Sequence, residues 1–139
     1  MASTPKTRPT DADPAAYCAA LPTPRRRSEG AILMTLFEAV TGAPSVMWGP
    51  SMIGYGSFPH TSATGRSSAD WFIVGFSPRT AAISLYGLQS APGAAELLAG
   101  LGKHRTGAGC VYVNGLKDVD LSVLRELVAL AWACEPTGC

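Results

Sequence analysis

The chain has 139 residues, and its eleven Lys and Arg against ten Asp and Glu give a formal net charge of +1. So small a net charge provides no long-range field to attract nucleic acid or an anionic membrane, so any charged ligand must be bound by local groups. The length fits one domain with its own core, and only 15% of the residues are charged, against roughly a quarter in typical soluble proteins.

Both ends of the chain are expected to lie outside the folded domain. Residues 1–10 are rich in Ser, Thr and Pro and cannot bury enough apolar area to offset chain entropy, which predicts a disordered leader. A single domain is expected over 11–135 and a frayed tail over 136–139. The N-terminus has no apolar signal region and no segment is long enough to span a membrane, which favours the cytoplasm.

Two helices are predicted before any strand. Asp13 is an N-cap residue followed by a proline, which predicts a short helix over 14–20. Thr23 is also followed by a proline, and Gly42 is suited to end the helix that begins there. Within this second helix apolar residues recur at helical spacing, so we expect it to pack on a sheet.

Four strands are predicted next, because the runs SVMWG, MIGYGSF, DWFIVGF and AISLYGL are rich in β-branched and aromatic residues. Their short connections predict antiparallel neighbours. The turn S-P-R-T, with proline preset for a tight turn, predicts a hairpin that joins strands over 70–76 and 82–88.

The remaining elements are a short helix in PGAAELLAGLG, a loop KHRTGAG, a fifth strand in CVYVN and a final amphipathic helix capped by Asp120. The order α-α-β-β-β-β-α-β-α predicts an α+β fold, in which helices pack on a curved, mostly antiparallel five-stranded sheet. Four cysteines lie in no metal or redox spacing, so we expect reduced thiols, two of them in the core.

Aromatic residues of the strands are the first candidate binding groups. Alternation must send about half of them to the face away from the helices, where an aromatic patch marks a ligand or partner. An ordinary aromatic core is the alternative. In MWGPSMIGYG, Gly54 and Gly56 are expected to leave room on one face of the sheet while Ile53 and Tyr55 fill the other. The candidate aromatic residues are Trp48, Tyr55, Trp71, Phe72 and Tyr86.

A basic loop is the second candidate. Lys103, His104 and Arg105 precede a threonine and two glycines, so the loop can present cationic side chains and free backbone N–H groups to one anion. A solvated basic turn that ends a helix is the alternative. Arg79 and Arg66 are expected to add to the same patch if the hairpin folds toward it.

Catalytic and metal signatures are absent from the sequence. There is no G-x-S-x-G, H-E-x-x-H, Walker A or G-x-G-x-x-G motif, so we predict no catalytic residue and no cofactor. His60, His104, Asp70 and Cys110 show no metal spacing, which predicts no metal site. Two carboxylates before the last helix, at Asp118 and Asp120, are interpreted as a turn and a cap.

A resemblance adds to these observations. The runs MWGPSMIGYG, ADWFIVGFSPRT, LGKHRTGAGCVYV and KDVDLSVLRELV, in this order, resemble the YdhG-like proteins, a family known mainly as a domain of unknown function. The resemblance covers 11–133 and implies a small sandwich of helices on a curved sheet. One branch of the family is described as frataxin-like, so the resemblance also implies iron handling.

Iron handling of the frataxin type needs clustered carboxylates, because a hard cation requires several oxygens close together. Here the long helix offers only Glu29 and Glu38, and its basic start, Arg25-Arg26-Arg27, repels a cation. Our leading hypothesis is therefore a non-enzymatic cytoplasmic domain that binds an anionic small molecule in an aromatic pocket with a basic rim. The alternatives are a frataxin-like iron chaperone and a protein-interaction or homodimerisation module, and neither nucleic acid nor a membrane is expected as a partner.

Overall fold

The computed structural model describes residues 9–61, 68–89, 91–107 and 110–138. Four α-helices lie within these ranges: α1 (Pro14–Ala19), α2 (Pro24–Thr41), α3 (Ala94–Ala99) and α4 (Leu121–Gly138). A short 3-10 helix (Leu116–Asp118) precedes α4. No helix in the described part is long and apolar enough to cross a membrane.

Eight strands form two antiparallel sheets in the described ranges. The six-stranded sheet has the order β1-β2-β5-β6-β8-β7, and β3 pairs only with β4 in a separate hairpin. The strands are β1 (Val46–Trp48), β2 (Met52–Tyr55), β3 (Phe58–Thr61), β4 (Ser68–Trp71), β5 (Val74–Pro78), β6 (Ile83–Tyr86), β7 (Arg105–Thr106) and β8 (Cys110–Val113).

The predicted α+β class and antiparallel sheet are confirmed, but the predicted count of five strands is wrong. The run DWFIVGF is not one strand: its first part belongs to β4 and its last part to β5, in different sheets. The chain leaves one sheet and enters the other at Phe72 and Ile73. Part of the predicted basic loop also forms a strand, since Arg105 and Thr106 pair with β8.

The predicted helix signals act as expected. Asp13 accepts a hydrogen bond from the backbone N–H of Ala15, and Thr23 accepts one from Arg26 at 3.1 Å. These side chains satisfy N–H groups that have no partner inside their own helices. Gly42 ends α2 in the left-handed conformation, with φ of 69°.

Residues near both ends of the described chain take part in regular structure. Pro9 forms an isolated bridge with Trp48, and the N–H of Thr10 donates to Met47 O at 2.8 Å, so the described end of the leader pairs with β1. Asp120 caps α4 by accepting from the N–H of Ser122 at 2.9 Å. The residues predicted to fray at the C-terminal end lie within α4 as far as Gly138.

The six-stranded sheet has two faces of different character. On one face Phe37 of α2 packs on Tyr55 and Phe76, with both pairs of ring centroids 5.3 Å apart, and this face carries the core. Strand register places alternate residues of each strand on the opposite face, away from the helices. We call this side of the sheet the outer face. Its members are Val46, Trp48, Met52, Gly54, Gly75, Ser77, Ser84, Tyr86, Cys110, Tyr112 and Arg105.

The cysteines follow the prediction in part. Cys18 and Cys110 are free and buried, as expected of packed thiols. Burial raises the pKa of the Cys18 thiol to about 11. Cys134 is disulfide-bonded, which the expectation of four reduced thiols missed because sequence spacing does not report spatial proximity.

Candidate functional site

The predicted aromatic residues do not share one face of the sheet. Trp48, Trp71, Phe72 and Tyr86 form what we call the outer aromatic cluster. Trp71 stacks on Phe72 with centroids 4.5 Å apart, and Phe72 meets Trp48 edge-on at 5.6 Å and Tyr86 at 5.7 Å. Phe72 is therefore the centre of the cluster.

Phe72 fills the space that the glycines of the sheet provide. A Cβ atom on Gly54 would lie 2.6 Å from Phe72 Cγ and 2.7 Å from Trp48 Cδ1. Phe72 is 0% exposed and Trp48 is 2% exposed. The expected open floor at Gly54 is thus occupied by the protein's own ring. Gly56 differs again, since it has φ of 69° and a Cβ there would meet Trp132 of α4.

Tyr55 lies on the opposite face, in the core. It is 0% exposed and stacks on Phe37. Its hydroxyl accepts a hydrogen bond from Ser45 Oγ at 2.7 Å, and burial raises its pKa. Tyr55 therefore packs α2 against the sheet and does not face the outer aromatic cluster.

The basic side chains of the loop have different surroundings. Arg105 lies on the outer face, exposed, with its Cζ 5.6 Å from the centroid of the Tyr112 ring, a cation–π contact. His104 contacts the carbonyl of Gly102 through Nδ1 at 2.8 Å. Lys103 is exposed.

Backbone N–H groups expected to bind an anion have partners within the protein. The N–H of Lys103 donates to Asp118 O at 3.1 Å, and the N–H of Gly107 donates to Cys110 O at 2.8 Å. Ala108 and Gly109 fall outside the described residues. At positions 103 and 107, the expectation of free N–H groups is wrong: Lys103 lies beside the bridge between Gly102 and Val119, and Gly107 lies at the end of the β7–β8 pair.

Arg79 stands apart from the basic loop. Ser77 is in register with Ser84, Tyr112 and Arg105 across β5, β6, β8 and β7. Three strand spacings separate Ser77 from Arg105, which is about 14 Å. Arg79 donates from Nε to Ser77 Oγ at 3.3 Å, so it lies at the far end of this row. Arg66, the other predicted contributor, falls outside the described residues.

A cavity of about 480 Å³ lies where the α1–α2 connection meets the turn between β5 and β6. Of the candidate binding residues that the structure describes, Arg79 alone belongs to its lining. The lining consists of Tyr17, Ala20, Leu21, Pro22, Thr23, Arg26, Ser51, Pro78, Arg79 and Thr80.

Arg26 forms the inner polar wall of this cavity. It is 4% exposed and its Nη1 donates to Glu29 Oε1 at 2.6 Å. Its Nε donates to the carbonyl of Arg79 at 2.8 Å, and its Nη2 donates to the carbonyl of Thr80 at 3.5 Å. All three nitrogens of this guanidinium thus bind the protein itself, and they fix the backbone of the β5–β6 turn.

Glu29 connects this wall to the segment that follows β8, at the same end of the sheet as the β5–β6 turn. It is 6% exposed and accepts a hydrogen bond from the N–H of Leu116 through Oε2 at 2.9 Å. Arg25 lies 3.7 Å from Glu29 Oε1 and donates to the carbonyl of Asn114 at 2.8 Å. The charge of Arg26 is therefore compensated by a carboxylate that is itself hydrogen-bonded.

The position of Arg26 in the sequence indicates that its side chain is buried, although its charge suggests a surface residue. Arg26 precedes Leu33 by seven residues and Phe37 by eleven, so the three lie on one face of α2. Leu33 and Phe37 are 0% exposed. A charged residue on the buried face of a helix predicts a paired or ligand-facing group, which the interpretation of Arg25-Arg26-Arg27 as a surface run missed.

Metal ligands show no clustering in the described ranges: no group of three or more His, Cys, Asp or Glu residues there could hold an ion. The side chains of His60 and Asp70 are outside the description.

No protein-family model matches the chain, and no curated protein or solved structure is significantly similar to it.

Proposed function

We propose that this protein is a small-molecule binding domain whose ligand is an organic anion held in the cavity between the α1–α2 connection and the β5–β6 turn. One observation carries the proposal: the lining of this cavity of about 480 Å³ contains Arg79, which forms no salt bridge with a described residue, and contains no carboxylate. The class of ligand is the one expected from the sequence, but the site differs, since the outer aromatic cluster and the basic loop do not line this cavity.

The dimensions of the cavity suit a ligand of moderate size. Ligand pockets typically enclose about 300–1,000 Å³ and combine apolar walls with a few polar groups. Here Leu21, Pro22 and Pro78 are apolar, while Thr23, Ser51 and Thr80 carry hydroxyls. The mixture supports an amphipathic ligand.

Electrostatics favour a negative charge at one end of the cavity. Arg79 forms no salt bridge with any described residue, whereas Arg26 is paired with Glu29 at 2.6 Å. Thr23 places the N-terminus of the 18-residue helix α2 at the lining. A helix N-terminus carries a partial positive charge, which adds to that of Arg79.

Calorimetric titration of organic anions into the wild-type protein and two variants tests the proposal. Arg79→Gln removes the charge at the cavity, and Arg105→Gln removes a matched exposed charge on the outer face. Loss of charge-assisted hydrogen bonds should weaken binding by about 1.5–3 kcal/mol in Arg79→Gln. Arg105→Gln should bind as the wild type does. Equal losses in both variants, or no binding by the wild type, would contradict the proposal.

Two further measurements distinguish the proposed function from the alternative functions. Stoichiometric iron in protein purified from iron-replete cells would favour the frataxin-like function that the family resemblance implies. A dimer in sedimentation that dissociates when Tyr86 is replaced would favour an interaction module using the outer face. A cytoplasmic location is part of our proposal, and a persistent Cys134 disulfide in protein from intact cells would count against it, because cytoplasmic thiols are kept reduced.

A further inference from the structure

We infer that the ligand of this cavity is an apolar monocarboxylate, with its carboxylate on the terminal nitrogens of Arg79 and its apolar body against Tyr17, Leu21 and Pro78. This inference rests on the proposed function and narrows it to one chemical class and one orientation.

The two terminal nitrogens of Arg79 are available to donate hydrogen bonds to a ligand. Its Nε donates to Ser77 Oγ at 3.3 Å, which leaves both terminal nitrogens without a hydrogen bond to any described residue. Its backbone is held independently: the N–H donates to Ala82 O at 3.1 Å and the carbonyl accepts from Arg26. A planar guanidinium with two adjacent free nitrogens matches the two oxygens of a carboxylate.

The count of charges points to a single negative charge on the ligand. Each nitrogen of Arg26 already donates to a protein oxygen, on Arg79, Glu29 or Thr80. Among the described lining residues only Arg79 then has an uncompensated charge. The second carboxylate of a dicarboxylate would lie in the apolar part of the cavity and lose water without gaining a partner. The second charge of a phosphate monoester at neutral pH would meet no second cation.

The rest of the lining determines which end of the ligand lies inside. Leu21 and Pro78 are buried, and Tyr17 is half-buried beside them. Arg79 is exposed at the rim. A ligand with its carboxylate at the rim therefore keeps the charge near water and removes its apolar body from water, the arrangement with the lowest desolvation cost.

Calorimetry at neutral pH with five probes tests the inference. The probes are octanoate, its neutral amide, the eight-carbon dicarboxylate suberate, phenylacetate and phenyl phosphate. We expect octanoate and phenylacetate to bind at least tenfold more tightly than the amide, suberate and phenyl phosphate. If suberate or phenyl phosphate binds as well as the monocarboxylates, the inference is wrong while the proposed function stands. If none of the five binds, both are wrong.

Variants at Arg79 test whether this residue causes the preference for a monocarboxylate. Arg79→Gln should abolish the preference of octanoate over its amide, because the only uncompensated charge of the described lining is gone. Arg79→Lys keeps the charge but not the planar pair of donors, so octanoate should bind severalfold more weakly yet still better than suberate. Octanoate binding that is unchanged in Arg79→Gln would overturn the inference, and Arg105→Gln serves as the control for a lost surface charge.

Discussion

Glu29→Gln is the most informative single substitution for the stability of this fold. It removes the charge that compensates Arg26 and preserves the size and shape of the side chain. Glutamine can still accept the hydrogen bond that Leu116 N–H donates at 2.9 Å. The change therefore removes both the charge and the hydrogen bond that Glu29 Oε1 accepts from Arg26, because the amide nitrogen of glutamine then faces Arg26, while the N–H of Leu116 keeps its acceptor.

The expected loss follows from burial. The side chains of Arg26 and Glu29 are 5% and 8% exposed, so solvent screens the pair weakly. Removing one partner of a buried pair costs about 3–5 kcal/mol, because the other charge stays buried without compensation. Because the N–H of Leu116 keeps an acceptor, we expect a loss of about 3 kcal/mol, at the lower end of this range. With a urea m value of about 2 kcal/mol/M, the unfolding midpoint should fall by about 1.5 M.

Urea denaturation, followed by circular dichroism, measures this loss. Glu126→Gln is the matched control, since Glu126 is exposed on α4 and forms no ion pair with a described residue. A surface change of this kind alters stability by no more than about 0.5 kcal/mol. If the two variants unfold at the same urea concentration, the Arg26–Glu29 pair does not carry the energy assigned to it here.

Three further perturbations address the outer face, a helix cap and a buried thiol. Gly54→Ala should cost about 1–3 kcal/mol in urea denaturation, because its Cβ meets Phe72, whereas Gly100→Ala, with its nearest contact at 3.7 Å, should cost far less. Thr23→Ala should cost about 1 kcal/mol in the same assay, because the N–H of Arg26 loses its cap. The pKa of Cys18 is raised from 9.0 to about 11, so the unfolded chain releases this proton first as pH rises. Stability should therefore fall between pH 9 and 11, and the fall should be smaller in Cys18→Ala.

Helices of this protein could be predicted from the sequence because their signals are local. The N-cap and proline pairs fix the starts of α1 and α2, and Gly42 fixes an end, regardless of what packs on them. The six-stranded sheet is different, since pairing decides where a strand ends. DWFIVGF reads as one continuous apolar run, yet its two halves pair with β3 and β2 in different sheets.

The place of the candidate cavity could not be predicted from the sequence. Alternation correctly indicates that the aromatic residues divide between faces, with Tyr55 inside and Trp48 outside. It cannot indicate that Phe72 turns back over Gly54, because Phe72 lies between two strands and has no register position. The cavity joins residues near position 20 with residues near position 80, and such proximity follows only from packing α2 on β5.

The Arg26–Glu29 pair has two roles that a double substitution separates. It stabilises the fold, and through the 2.8 Å bond from Arg26 Nε it also fixes the carbonyl of Arg79 at the cavity rim. Replacing both charges with methionine should restore part of the stability that Glu29→Gln loses, because no uncompensated charge remains buried, while the N–H of Leu116 loses its acceptor. The same double variant leaves the backbone of Arg79 without its anchor. Stability and ligand affinity should therefore change in opposite directions relative to Glu29→Gln.

Thermal denaturation with and without octanoate measures both quantities. At a ligand concentration one hundred times Kd, a ligand that binds only the folded state adds about 2.7 kcal/mol of stability. For a domain of this size that corresponds to a rise in Tm of very roughly 10 °C. The double variant should unfold above Glu29→Gln in buffer yet gain less from octanoate than the wild type at the same concentration. A full wild-type gain in the double variant would show that the buried pair only stabilises the fold, and that Arg79 reaches its ligand without help from Arg26.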